Sequence, residues 1–199
     1  MKLMIALLAL CSSLTVFALE TGNQAPDFTL NSAGTKDGIV KLSSYKGKVV
    51  VLEWLNHGCP FVRKHYESGN MQKLQAKYTA KNVIWFSVVS SAPGKQGHVT
   101  ADEARQEVIK HKGAASNVLL DPTGEVGKLY EAKTTPHMFI INKEGMLAYQ
   151  GAIDDQPDTE QSSIPKAKNY VAEALDLILA NKPVAQSTTK AYGCGVKYQ

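Results

Sequence analysis

Val49-Val50-Val51-Leu52-Glu53-Trp54-Leu55-Asn56-His57-Gly58-Cys59-Pro60-Phe61-Val62-Arg63-Lys64-His65 is the stretch that decides the reading of this chain. An apolar, β-branched run from Val49 to Leu55 reads as a buried strand. It ends in the polar bend Asn56-His57-Gly58, and Cys59 then stands directly before Pro60. Proline suits the first position of a helix, because its missing N–H would have had no partner there. Cys59 therefore falls at the helix N-cap or just before it. The free N–H groups and dipole of that first turn favour negative charge. A thiolate in such a place has a lowered pKa and is the reactive form. His57, Arg63 and Lys64 are close in sequence and are expected to add positive field. Glu53 interrupts the apolar strand six residues before Cys59. A buried carboxylate is costly unless paired or protonated, so Glu53 reads as a proton acceptor for the thiol. The plainer alternatives are a small buried Cys59 that merely ends the strand, and a strand with one face open to water.

The chain has 199 residues, enough for one domain with a sizeable core. Residues 1–18 read as a secretion signal, with Lys2 as the positive start and Leu3 to Leu10 as the apolar core. Cleavage is expected after Ala18, at Val16-Phe17-Ala18. The apolar run is too short for a membrane span. Leu10 stands before Cys11 where a lipid-anchored cysteine usually follows a small residue, which argues against an anchor at Cys11. Removing the leader takes away one Lys and no acid, so the formal charge falls from +4 to +3. No basic cluster is interleaved with aromatics, which argues against a nucleic-acid partner. No nucleotide-binding glycine fingerprint is present, so no organic cofactor is implied.

An exported chain, periplasmic or secreted, keeps two cysteines, Cys59 and Cys194, in a compartment where disulfides persist. They lie 135 positions apart. The chain-entropy model gives a cross-link across such a loop about 5 kcal/mol.

Along the mature chain, Ala25 to Leu30 and Ile39 to Leu42 read as short extended segments. The helix opening at Pro60 breaks near Ser68-Gly69-Asn70, with Asn70 a candidate cap, and resumes with Met71, Leu74 and Tyr78 on one face. Val83 to Val89 and Val118 to Leu120 read as strands. Thr100-Ala101-Asp102-Glu103 is a capping box that opens a helix running to about Lys112. Val126, Leu129 and Tyr130 suggest a short helix. Thr134 to Ile141, turned by Asn142-Lys143-Glu144-Gly145 into Met146 to Gln150, predicts a hairpin. Ile164 to Ala180 predicts a last amphipathic helix. Residues 19–183 form the predicted domain, and residues 184–199 a polar, mobile tail carrying Gly193-Cys194-Gly195. The alternation of elements indicates an α/β sandwich around a mixed sheet.

The order of elements resembles a thioredoxin fold, and Glu53 and Cys59 are spaced like its buried acid and first active cysteine. Val62 replaces the second cysteine of Cys-x-x-Cys. Cys59-Pro60 is similar to the peroxidatic segment of peroxiredoxins, and Thr135-Pro136 to the segment that carries the cis-proline beside the thiol. Trp54 to Val62, Thr134 to Phe139, Gly151 to Asp155 and Gly193 to Tyr198 together resemble the peroxiredoxin-like branch of the redoxin (AhpC/TSA) superfamily. The resemblance implies a thioredoxin-like three-layer sandwich with an N-terminal strand extension. It also implies a site built on Cys59, Cys194, Glu53 and Pro136, with Asn56, His57, Pro60, Arg63, Thr135 and His137 around the thiol. Two positions depart from the peroxiredoxin pattern. Asn56 stands where that family places Thr or Ser, and no later arginine is assignable, Arg105 falling on a predicted exposed helix.

The resulting expectation is a two-cysteine thiol oxidoreductase with antioxidant activity. Cys59 attacks a peroxide or a disulfide, Cys194 resolves the product, and an external thiol, small or from a thioredoxin-like protein, restores both. Thiol–disulfide exchange without peroxidase activity is the rival enzyme reading. Copper binding through Cys59, His137 and Cys194 is a rival of another class, and a non-catalytic scaffold a third. Oligomeric state is not legible.

Overall fold

The computed structural model describes residues 19–34 and 38–199; the leader, its cut after Ala18 and Cys11 lie outside the described residues. The strand that decides the sequence reading is an interior strand of the sheet, paired on both sides. It is the third strand, β3 (Val50–Trp54), and all five of its residues are buried. Successive side chains alternate between faces. Val51 and Leu55 enter one core together with Cys59, whereas Val50, Leu52 and Trp54 enter the core on the other face. Burial on both faces is why the run lacks polar alternation.

On one side β3 pairs in parallel with β4 (Ile84–Val89), and β4 in parallel with β5 (Asn117–Leu120). On the other it pairs antiparallel with β7 (His137–Ile141), which turns back as β8 (Leu147–Gly151). The predicted N-terminal extension is the antiparallel pair β1 (Thr29–Ser32) and β2 (Ile39–Lys41), joined to the sheet through β5. The order is β2-β1-β5-β4-β3-β7-β8, a mixed seven-stranded sheet. A separate two-stranded ladder joins β6 (Thr134–Thr135) to β9 (Cys194–Gly195).

Helices α1 (Pro60–Glu67) and α2 (Asn70–Thr79) pack on the Val51 face with the last helix, α5 (Tyr170–Leu179). Between them in sequence, α3 (Ala101–Lys110) starts on the predicted capping box, and the short α4 (Glu125–Leu129) lies on the Trp54 face with the N-terminal segment. The expected α/β three-layer arrangement around a mixed sheet is what forms.

Three local expectations change. Gly69, at φ 74°, rather than Asn70 takes the N-cap of α2. The last helix starts at Tyr170, not Ile164. Gln161–Lys166 is a 3-10 helix containing Pro165, and the Asn169 side chain caps α5 by accepting from the Ala172 N–H at 2.8 Å. Residues 184–199 are strapped down rather than mobile. The Gln150 N–H donates to Ser187 O at 2.9 Å, and the Thr189 N–H returns to Gln150 O at 3.0 Å. Backbone pairing of this kind leaves no mark in composition. Among the described residues no helix is long and apolar enough to cross a membrane.

Leu175 is fully buried in the α5 face, whereas Ile109 on α3 is 77% exposed. Urea unfolding is expected to show Leu175→Ala destabilising by about 2–5 kcal/mol and Ile109→Ala by no more than about 0.5 kcal/mol. Equal effects would refute this assignment of the core.

Candidate active site

The bend after β3 is held by its own polar residue. Asn56 Oδ1 accepts the Gly58 N–H at 2.8 Å and Asn56 O the Cys59 N–H at 2.9 Å. Cys59 then adopts an extended N-cap conformation with Pro60 at the first helical position. Its thiol is sealed from solvent. Cys59 Sγ lies 3.0 Å from the carbonyl of Thr135, which precedes the cis peptide bond to Pro136.

The second sulfur arrives from the tail. Pairing of Thr135 with Cys194 sets Cys194 Sγ 2.7 Å from Cys59 Sγ, with the Cys194 N–H 3.4 Å from the same sulfur. Both cysteines are free thiols, Cys194 partly exposed. Gly193 permits the approach: at φ 141°, a Cβ there would fall 2.1 Å from Thr135 O. One residue earlier, Tyr192 donates to the Asp154 carboxylate, and its hydroxyl lies 3.3 Å from His65 Nε2 on α1. The tail is thus anchored just ahead of its sulfur.

The two thiols have opposite proton affinities. Burial pushes Cys59 up, but the Cys194 thiol, the Val62 and Cys194 N–H groups and the Thr135 side chain outweigh it and hold Cys59 below its usual range. Burial, the neighbouring Cys59 sulfur and its charge push Cys194 up to about 11. Of the two, Cys59 therefore gives up its proton first and Cys194 keeps its own to higher pH.

Glu53 is buried on the Cys59 face of the sheet inside a cage of donors. Trp85 Nε1 and the Tyr66 hydroxyl each donate at 2.8 Å, Gln75 Nε2 at 3.0 Å and Ser87 Oγ at 3.3 Å. Burial raises its pKa, opposed by these four donors. Tyr66 also belongs to the helix that Cys59 caps, so it links the carboxylate to the same element. Sequence reasoning missed these partners. Gln75 carried a signal, as a polar residue on the apolar face marked by Met71, Leu74 and Tyr78; Ser87 carried another, inside an apolar strand.

The remaining expected residues lie as follows. Arg63 is exposed and pairs with Glu67 at 2.8 Å. Lys64 is buried but turned to Gln156 O at 2.7 Å and Asp158 at 3.1 Å. His57 stacks on His111 with ring centroids 4.1 Å apart, and burial with the His111 charge takes its pKa down to about 4. It is neutral near pH 7 and adds no positive field there. His137 stands opposite Trp54 in the β3–β7 register and packs on Phe139, on the face away from Cys59. Its Nδ1 accepts the Lys133 N–H at 3.2 Å. Cys59, Cys194 and His137 are therefore not gathered as one ligand set.

A helix-capping thiol beside Pro136, just past the end of an interior strand of a mixed sheet, defines a thioredoxin-like redox protein. The chain belongs to the AhpC/TSA family, whose model matches residues 21–150. A curated relative, the thiol-disulfide oxidoreductase ResA of Bacillus thuringiensis, is 27% identical over 129 residues, covering 65% of this chain and 68% of its own. A hypothetical protein from Sinorhizobium meliloti shares the fold with a TM-score of 0.76 at 23% identity, over 92% of this chain and 97% of its own. A Chlorobium tepidum protein provisionally designated thiol:disulfide interchange protein DsbE is 31% identical, with a TM-score of 0.52, over 67% of this chain and 85% of its own.

Two outcomes follow from the electrostatics. Removing the Cys194 thiol takes away its hydrogen bond to the Cys59 anion. The pH midpoint of Cys59 alkylation is therefore expected to rise in Cys194→Ala; an unchanged or lower midpoint would contradict the pairing. Glu53 holds its proton to higher pH when folded than when unfolded. Stability then falls as pH rises from the ordinary carboxylate range through the raised one. Glu53→Gln should flatten that fall in urea midpoints measured against pH, and a persisting slope would assign it to another group.

Proposed function

We propose that this chain is an exported thiol–disulfide oxidoreductase in which Cys59 attacks and Cys194 resolves. One observation supports the reading above the rest: two free thiols whose pKa values are shifted in opposite directions stand 2.7 Å apart, in direct contact. The likeness to ResA and to the Chlorobium protein points to the same chemistry. The proposed organisation is a leader over residues 1–18, a redox domain over 19–183 and a strap over 184–199 that delivers the resolving sulfur.

The Cys59 thiolate attacks one sulfur of a substrate disulfide, forming a mixed disulfide and expelling the other sulfur as a thiolate. Cys194 loses its proton to that thiolate and attacks Cys59 Sγ. The second substrate thiolate leaves, and a Cys59–Cys194 disulfide remains. Two electrons have passed to the substrate, and an external dithiol returns them. Because Cys59 is sealed while Cys194 is partly exposed, substrate entry requires the β9 strap to lift. Glu53 is proposed to take part through Tyr66 on the same helix, and Pro136 to shape the wall beside the thiol.

Family membership supports a second reading, peroxide reduction. There Cys59 would become a sulfenic acid, and Cys194 would condense with it and release water. The surrounding side chains favour exchange. The chain has two arginines, and neither faces the thiol. Arg63 pairs with Glu67, and Arg105 with Asp102 and Ala33 O. Asn56 is occupied by Gly58 and Gln96.

Reduction of a small disulfide, followed with a coupled dithiol, tests the proposal. Cys59→Ser is expected to lower turnover by at least about 10³-fold, and Cys194→Ser to accumulate Cys59 as a mixed disulfide visible by mass. Hydrogen peroxide should be consumed far more slowly than the disulfide. Wild-type turnover surviving in Cys59→Ser would end the thiol reading, and fast peroxide turnover would replace exchange with peroxidase chemistry.

A further inference from the structure

Behind the bend that carries Cys59 lies a cluster the thiol chemistry does not use. His57, Glu107 and His111 each offer a ligand atom, and these atoms lie within 4.8 Å of one another. Glu107 and His111 are i and i+4 at the C-terminal end of α3, so they share one helix face. The Glu107 carboxylate is 2.9 Å from His111 Nε2. His57 closes the group from the β3–α1 bend, its ring nearly parallel to that of His111 at 9°.

We propose that His57, Glu107 and His111 form a binding site for a divalent first-row cation, with zinc as the reference ion. The chemistry of the set fits. Two imidazoles and one carboxylate are the three-ligand pattern of open zinc sites, with a fourth position left for water. The second observation is His57 Nδ1, a buried nitrogen without a hydrogen-bond partner. Leaving such an atom unpaired is unfavourable, and a metal bond would satisfy it. The neighbours orient the set as well. Gln72 Nε2 donates to His111 O at 2.6 Å, and the Tyr66 ring stands edge-on to both imidazoles.

An ion has a way in. A cavity of about 210 Å³, walled in part by Leu55, Val99 and Val108, reaches His57 and Glu107. The side chains of Glu107 and His111 are 28% and 17% exposed. Metal bonds of about 2.0–2.1 Å draw tetrahedral ligand atoms to about 3.3 Å apart. The group therefore closes by side-chain rotation, and the two stacked rings splay from their near-parallel arrangement. Lys110, paired with Glu107 at 3.2 Å, gives up that contact.

Thiols also bind zinc, so the test removes them. Full-length Cys11→Ser/Cys59→Ser/Cys194→Ser protein, stripped of metal, is titrated with Zn²⁺ alone by calorimetry. One equivalent is expected to bind, with affinity lowered about tenfold or more by Glu107→Gln and by His111→Ala. Circular dichroism and urea midpoints matching the parent exclude unfolding as the cause. Co²⁺ added to the parent gives an independent reading. Intense visible bands of a four-coordinate ion, with no thiolate charge-transfer band, are expected. Absence of saturable Zn²⁺ binding, binding indifferent to both substitutions, or a Co²⁺ spectrum like that of the hydrated ion would overturn the site. The site uses neither cysteine, so its failure leaves the thiol reading intact.

Discussion

Two residues of antiparallel pairing, Thr134 with Gly195 and Thr135 with Cys194, hold the second sulfur against the first. Everything distinctive in the site depends on that short ladder. It makes the encounter of the sulfurs intramolecular across 135 positions of chain, so their effective concentration is set by geometry rather than by diffusion. It also divides the labour between them. The Cys194 thiol stabilises the Cys59 anion, and that anion keeps the proton on Cys194. Each sulfur thus reinforces a shift that burial, the Val62 N–H and Thr135 also act on.

The other half of the design is the sheet beneath. β3 is buried on both faces, which fixes where the chain leaves the sheet and therefore where Cys59 begins α1. The same burial makes Glu53 expensive to ionise. Four donors from α1, α2 and β4 offset part of that, so the core accommodates this acidic side chain because three elements converge on it. A polar group satisfied this completely also ties those elements into one arrangement.

Much of this was legible in the sequence. The β-branched run, the Cys-Pro junction, the Thr100 capping box and the hairpin around Asn142 are local signals, and each lies where expected. The thiol and its acid were legible for the same reason, since a charged residue inside an apolar strand stands out. What escaped was non-local. The strap from Ser187 to Cys194 is held by backbone atoms, which any polar residues provide. Arg63 and Lys64 are near Cys59 in number but turn to Glu67 and Asp158, because a helix sends successive side chains in different directions. His137 is one residue from Pro136, yet strand alternation sends it to the opposite face. Glu107 and His111 meet His57 only through the packing of α3 beside the bend.

The two glycines that flank Cys194 look interchangeable in the sequence, as a pair that lends reach. Their surroundings separate them. A methyl group at Gly193 would be driven into the Thr135 carbonyl, whereas one at Gly195 would meet nothing nearer than Lys133 O at 3.9 Å. Position 195 can accept a side chain and keep the ladder; position 193 cannot. Across descendants of this chain, drift is therefore expected to be one-sided, tolerated just after the tail cysteine and forbidden just before it.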